Sequence, residues 1–167
     1  MRGNAGLPIG LIMEQLVNQS IARYRLDALL GEGGMGAVFK AFDVTLQRDV
    51  AVKVMHPHFA KMPNFQERFL QEARTAARLN HPSIVQVYDF GQDRGRLYIV
   101  MKFNSGKNLE KVLEVMQQKR ETLPLQEAAE LVSNVSNALD YAHKMGVLHR
   151  DIKPANIMIE PDPVSPQ

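Results

Sequence analysis

Between residues 24 and 55 the apolar positions follow strand spacing. Residues 24–30 are mostly apolar, a glycine cluster intervenes, residues 37–42 resume the pattern, and after a polar turn residues 50–54 form a third run. This predicts three antiparallel strands. Residues 64–79 change to helical period, with Phe65, Phe69, Ala73, Ala76 and Leu79 on one side and His81-Pro82 as the stop. Two further extended stretches are predicted at 84–88 and 97–103, separated by a turn-rich segment from Gly91 to Gly95. Beyond Gly106 the pattern is helical again. Leu109, Val112, Leu113 and Met116 mark one amphipathic helix, and residues 125–144, opened by Pro124 and closed by Gly146, mark a longer one. Val147-Leu148 and residues 156–159 read as short strand-like pieces flanking a polar loop.

Five strands with one inserted helix, followed by helices, is an α+β plan with two lobes joined near Phe103. The expected organisation is a leader over residues 1–23, a folded region over 24–160 that divides near 103/104, and a tail over 161–167. Three prolines in that tail leave it unable to supply a ladder strand or a helix. Within the leader, Ile12, Leu16 and Val17 recur at helical spacing. Its role is not legible from the residues.

Composition narrows the function classes. The chain has 167 residues, 45% apolar and 23% charged, with a formal net charge of +2, so a basic footprint for nucleic acid is missing and one folded domain is expected. No cysteine is present, which removes disulfides and thiolate metal sites. No apolar run approaches the length of a membrane span. Residues 7–13 are interrupted by Pro8 and Gly10 and lack a small-residue cleavage site after them, so a cytoplasmic chain is the expectation.

Candidate chemistry begins at Gly31-Glu32-Gly33-Gly34-Met35-Gly36, a G-x-G-x-x-G run whose missing side chains let backbone N–H groups approach phosphate oxygens. Alone it also fits a plain glycine turn in a hairpin. A dinucleotide fold would need a helix next, whereas Ala37 and Val38 open a strand; a Walker A loop would need Lys and Ser or Thr at those two positions. Lys53 ends the apolar stretch Val50-Ala51-Val52, where an ammonium needs an anionic partner. Glu72 lies on the following predicted helix, and a carboxylate there can point inward toward Lys53. Taken singly, the two also read as a snorkelling stem and a solvated helix face. The densest signal is His149-Arg150-Asp151-Ile152-Lys153-Pro154-Ala155-Asn156, which packs charged and amide side chains into one short loop between apolar pieces.

In this order and spacing, the glycine loop, Ala-Val-Lys, the helix Glu and Asp-x-Lys-Pro-x-Asn resemble the motifs of eukaryotic-like serine/threonine protein kinases. The wording around the glycine loop is similar to bacterial members, and the resemblance covers about residues 24–160. It implies a kinase-like fold with a five-stranded antiparallel N-lobe bearing one helix, then the start of a helical C-lobe. It implies ATP and Mg2+ as cofactors, with Mn2+ an alternative, and a protein substrate with a Ser or Thr acceptor. Gly31, Gly33 and Gly36 would fold over the ATP phosphates, with Glu32, Gly34, Met35 and Ala37 in the same nucleotide-binding stretch, while Leu30, Val38 and Ala51 would enclose the adenine. Lys53, held by Glu72, would grip the α- and β-phosphates. Met101 would back the adenine pocket, and Lys102, where the family usually has Glu, and Phe103 would offer backbone groups. Asp151 would take the hydroxyl proton, Lys153 would neutralise the moving phosphoryl group, Asn156 would hold a magnesium ion, and Arg150 would clamp a phosphorylated segment.

An early Asp89-Phe90-Gly91 spells the family's metal motif but precedes the catalytic loop, and is expected to be structural, closing a strand. After Ile159 the family's pattern calls for another Asp-Phe-Gly, an activation segment and further helices, none of which residues 160–167 contain. The expectation is a shortened kinase that acts only with its missing half. The alternative is a nucleotide-binding or regulatory fragment without phosphotransfer. The broad apolar stripe of the long helix adds an expectation of self-association.

Overall fold

The structure, a computed structural model, describes residues 13–62 and 64–160. Expectations for residues 1–12, including most of the apolar run from Leu7, and for the tail 161–167 lie outside the described residues. The chain forms two compact units. One comprises residues up to Arg78 together with Gln86–Phe103, and the other Leu79–Val85 together with residues from Asn104 onward.

The first unit is built from β1 (Ser20–Ile21), β2 (Tyr24–Gly33), β3 (Gly36–Asp43), β4 (Arg48–Met55), α1 (Phe65–Ala77), β5 (Val87–Asp93) and β6 (Arg96–Lys102). They form one antiparallel sheet in the order β1-β2-β3-β4-β6-β5. The five expected strands and their helix are present, and β1 adds a two-residue edge paired Ser20↔Arg25. Strand alternation sends Ala37, Phe39 and Ala41 of β3 and Val50, Val52 and Val54 of β4 to one fully buried face. Met13 and Leu16 pack on that face, so the second part of the leader belongs to the core. On the opposite face Met55 and Leu97 pack against Phe69 of α1.

Strand β5 departs from expectation at both ends. It begins at Val87 because the Ile84 N–H is spent in a turn on the His81 carbonyl at 3.0 Å. It then runs through Asp89, Phe90 and Gly91 to Asp93, and the reversal falls on Arg94 and Gly95, whose φ angles of 46° and 74° are those of a left-handed two-residue hairpin. Asp89 therefore sits inside a strand instead of closing one. Its carboxylate accepts the Tyr24 hydroxyl at 2.6 Å and pairs with Arg23 at 3.4 Å. Burial raises the pKa of that hydroxyl and the bond to Asp89 raises it further, so Tyr24 stays protonated and donating.

Asp43 is the buried acid of this unit. Its side chain accepts the N–H groups of Thr45 and Leu46 at 3.0 and 3.1 Å and the Arg23 Nε at 3.4 Å, which shapes the turn into β4. Burial alone would raise its pKa, but these donors outweigh burial and hold it below the ordinary carboxylate value. A depressed folded pKa contributes stability above the unfolded value of about 4, and that contribution is lost as pH falls through the folded value. Asp43→Ala is expected to cost about 1–3 kcal/mol by stranding the turn donors. Asp43→Asn is expected to flatten the acid side of the stability profile, as read by urea unfolding from pH 7 downward.

The second unit contains β7 (Lys107–Asn108), α2 (Leu109–Lys119), α3 (Leu125–Lys144), a 3-10 turn at Pro154–Asn156 and β8 (Met158–Ile159). Asn108 caps α2 by accepting the Lys111 N–H at 2.9 Å. The end of α3 corrects the expected strand at Val147-Leu148. Gly146, with φ of 77°, lets the Val147 N–H reach back to the Ala142 carbonyl and its own N–H to that of His143, both at 2.9 Å, so Val147 is consumed by the helix cap. The other strand-like piece shortens to Met158–Ile159, because Pro154–Asn156 winds into the 3-10 turn. Along α3, Ala138 and Ala142 are buried whereas Leu125 and Val132 are 87% and 61% exposed, so its apolar stripe is only partly covered.

Candidate functional site

Each unit carries its own group of candidate residues. In the first, β2 and β3 pair from Tyr24↔Asp43 up to Gly33↔Gly36, leaving Gly34 and Met35 as the tip of a tight hairpin. A Cβ added at Gly31, Gly33 or Gly34 would meet nothing within 4 Å, so the hairpin offers bare backbone to its surroundings. Gly36 differs. A Cβ there would land on the Val54 carbonyl oxygen and stand 2.9 Å from the Met55 Cα. Gly36→Ala is therefore expected to destabilise the fold by about 1–3 kcal/mol through backbone overpacking. Gly33→Ala should leave the thermal midpoint nearly unchanged, which thermal unfolding of both variants checks.

On the side of β4 opposite Val50, Val52 and Val54 stand Ala51 and Lys53. Register places Val38 opposite Lys53 and Met101 opposite Ala51, and Gly31 opposite Val38. The shift between Leu29 and Gly31 leaves Leu29 packed on the core and Leu30 half exposed. Lys53 is half-buried. Among the described residues no ion pair engages it, and Glu72 on α1 is exposed, so the expected Lys53–Glu72 pair is not made in this structure. Of the backbone groups expected at an adenine edge, the Lys102 N–H is already committed to the Gln86 carbonyl at 2.9 Å. Phe103 lies under the Lys40 ammonium, 5.1 Å from its ring centroid.

In the second unit, the loop before the 3-10 turn gathers its polar groups tightly. Asp151 Oδ1 pairs with the Lys153 ammonium at 3.1 Å, and Asp151 Oδ2 accepts the Asn156 amide at 2.9 Å. The same amide donates to the Asp151 carbonyl at 2.8 Å, which closes the loop on itself. The bond from Lys153 and then that from Asn156 hold the Asp151 carboxyl below its ordinary pKa, so it is ionised at neutral pH. Arg150 adopts a φ of 61°, a left-handed conformation that costs a non-glycine residue energy and here aims the loop. The loop is anchored beyond Asn156, where the Leu109 N–H donates to the Ile157 carbonyl at 2.8 Å and Lys107 pairs with Ile159. A Cβ at Gly106 would strike the Ile159 carbonyl, so only glycine allows that approach. These anchors escape sequence reading, because Gly106 and Asn108 reveal their purpose only beside β8.

Asn156 donates its amide N–H groups to Asp151, and its amide oxygen is a donor of the type a hard divalent cation such as Mg2+ takes along with phosphate and water. Among the described residues no cluster of three or more His, Cys, Asp or Glu forms an all-protein metal cage. Equally, no described helix is long and apolar enough to cross a membrane.

Comparison with known proteins gives a consistent result. Residues 24–164 match the family model described as the protein kinase domain. The chain is 47% identical over 141 residues to serine/threonine-protein kinase PknB of Mycobacterium leprae, covering 82% of this chain and 22% of that protein. It is 45% identical over 141 residues to a probable serine/threonine-protein kinase of Streptomyces coelicolor, covering 82% of this chain and 20% of that protein. The chain thus spans about a fifth of the length of these relatives. Among solved structures, the Mycobacterium tuberculosis PknI kinase domain superposes with a TM-score of 0.73 at 35% identity, over 84% of this chain and 56% of that one. Rad53 1-466 in complex with AMP-PNP gives 0.71 at 30% identity, over 84% and 35%.

Proposed function

The chain belongs to the protein kinase family, and on that premise we propose that it binds ATP with Mg2+ and carries the proton-accepting loop of a serine/threonine phosphotransferase. The observation that carries this reading is the coincidence, in one unit, of a bare-backbone glycine hairpin with a half-buried Lys53 on the strand beside it that has no ion pair among the described residues. An ammonium in that position without a carboxylate is poised for a phosphate oxygen. A neighbour in structure was solved with AMP-PNP, which supports the same ligand class here.

In this reading Gly31, Gly33 and Gly34 offer N–H groups to the phosphates, Lys53 holds their charge, and Leu30, Val38, Ala51 and Met101 bound the adenine. Asp151 accepts the proton of a serine or threonine hydroxyl while the hydroxyl oxygen bonds to the γ-phosphorus and the bond from that phosphorus to the ADP oxygen breaks. Lys153 and Asn156 fix the Asp151 carboxylate beforehand, and Lys153 sets a positive charge beside the transferring group. A magnesium ion, when bound, would supply charge neutralisation at the phosphates, and Asn156 would hold it. The alternative of a nucleotide-binding fragment without transfer shares the first half of this account, and the test of the shared half is competition. ATP is expected to displace a fluorescent ATP analogue from the chain and adenosine to do so less well; equal displacement by both would remove the phosphate contacts from the reading.

A further inference from the structure

Directly beneath the hairpin tip stands a titratable side chain that this reading does not use. His56 follows β4 and is 4% exposed. Its Nε2 lies 3.0 Å from the Gly33 carbonyl oxygen, and its backbone N–H donates to the Met35 carbonyl at 3.0 Å. A carbonyl only accepts, so Nε2 carries a proton and donates. Glu32 Oε1 is 3.9 Å from the same nitrogen, and Nδ1 on the far side is buried without a hydrogen-bond partner. Burying a half-satisfied ring is unfavourable for folding alone. The contact it secures is to the two residues that flank Gly34.

The ring also begins an aromatic row. His56 stacks at 5.9 Å on His58, His58 meets Phe59 at 4.2 Å, Phe59 meets Phe65 at 4.9 Å, and Phe65 meets Phe69 at 6.3 Å. Phe69 is buried against Met55 and Leu97, so the row ends in the packing of α1 on the sheet. Gly31, Gly33 and Gly34 have no side chains with which to anchor the tip, and Gly36 fixes only its β3 side. We infer that His56 is a positioning residue that latches the phosphate-binding hairpin to β4 and, through the ring row, to α1. The inference rests on the nucleotide reading for its purpose, while the latch is measurable without any ligand.

The test compares His56→Ala with His56→Gln, whose amide N–H can replace Nε2–H, and uses Lys53→Met as the reference for phosphate contact. Without ligand, hydrogen exchange at the amides of residues 33–37 and 56 is expected to quicken in His56→Ala and to recover in His56→Gln. With ligand, ATP affinity is expected to fall about three- to tenfold in His56→Ala, adenosine affinity to stay unchanged, and His56→Gln to restore the ATP value. Unchanged exchange in His56→Ala overturns the latch. A parallel loss of ATP and adenosine affinity together with a lower thermal midpoint, not rescued by Gln, also overturns it, since that is general destabilisation. If the wild-type chain binds no ATP, the nucleotide reading falls, and the exchange experiment still decides the latch by itself.

Discussion

Asp151→Asn is expected to lower phosphoryl transfer to a serine or threonine peptide by about 10²–10⁴-fold, the range a positioned general base contributes. The asparagine keeps the shape and the bond to Asn156 but loses the negative charge that receives the hydroxyl proton and that Lys153 complements. The assay needs a complete kinase domain, for which residues 1–160 can be joined to the C-terminal portion of the domain of the 47%-identical relative. In that chimaera nucleotide affinity should change little, because Asp151 acts on the acceptor hydroxyl. Because Asp151 is held below its ordinary pKa, activity is expected to be insensitive to this group across neutral pH and to fall only as acidification protonates it.

Much of this arrangement is legible in the residues because its signals are local. The hairpins around the glycine run and around 43–48 show in strand alternation, and α3 can be read to its ends because Pro124 opens it and Gly146 closes it. What escapes depends on partners distant in sequence. Met13 and Leu16 read as an unassigned leader because their burial exists only once β2 to β4 present a face to cover. Order along the chain marks Asp89 as structural, but its place in mid-strand follows from pairing with Val100 of β6, and its carboxylate partner Tyr24 is 65 residues away. Val147 reads as a strand residue because it stands beside apolar Leu148, while the left-handed Gly146 has already assigned its N–H to α3. His56 offers no pattern, since a lone histidine after a strand acquires meaning only from the carbonyl above it. The Lys53–Glu72 pair shows the reverse limit. Residue types and order point to it, yet the structure leaves Glu72 exposed and gives the ammonium no ion pair among the described residues.

That unpaired ammonium makes Lys53→Met the second large effect. Methionine preserves the stem and volume of the side chain while removing a charge-assisted contact, so ATP affinity is expected to fall by about 1–3 kcal/mol, or roughly five- to 150-fold. Stability should change little, because no ion pair among the described residues is lost with the charge. Adenosine, which lacks phosphates, should bind both proteins alike. The decisive measurement is a titration of ATP in Mg2+ against wild-type and Lys53→Met chains of matched thermal midpoint. Saturable binding that weakens about five- to 150-fold in the variant is the predicted result, and equal affinity in the two proteins, or no binding to the wild type, would contradict the account.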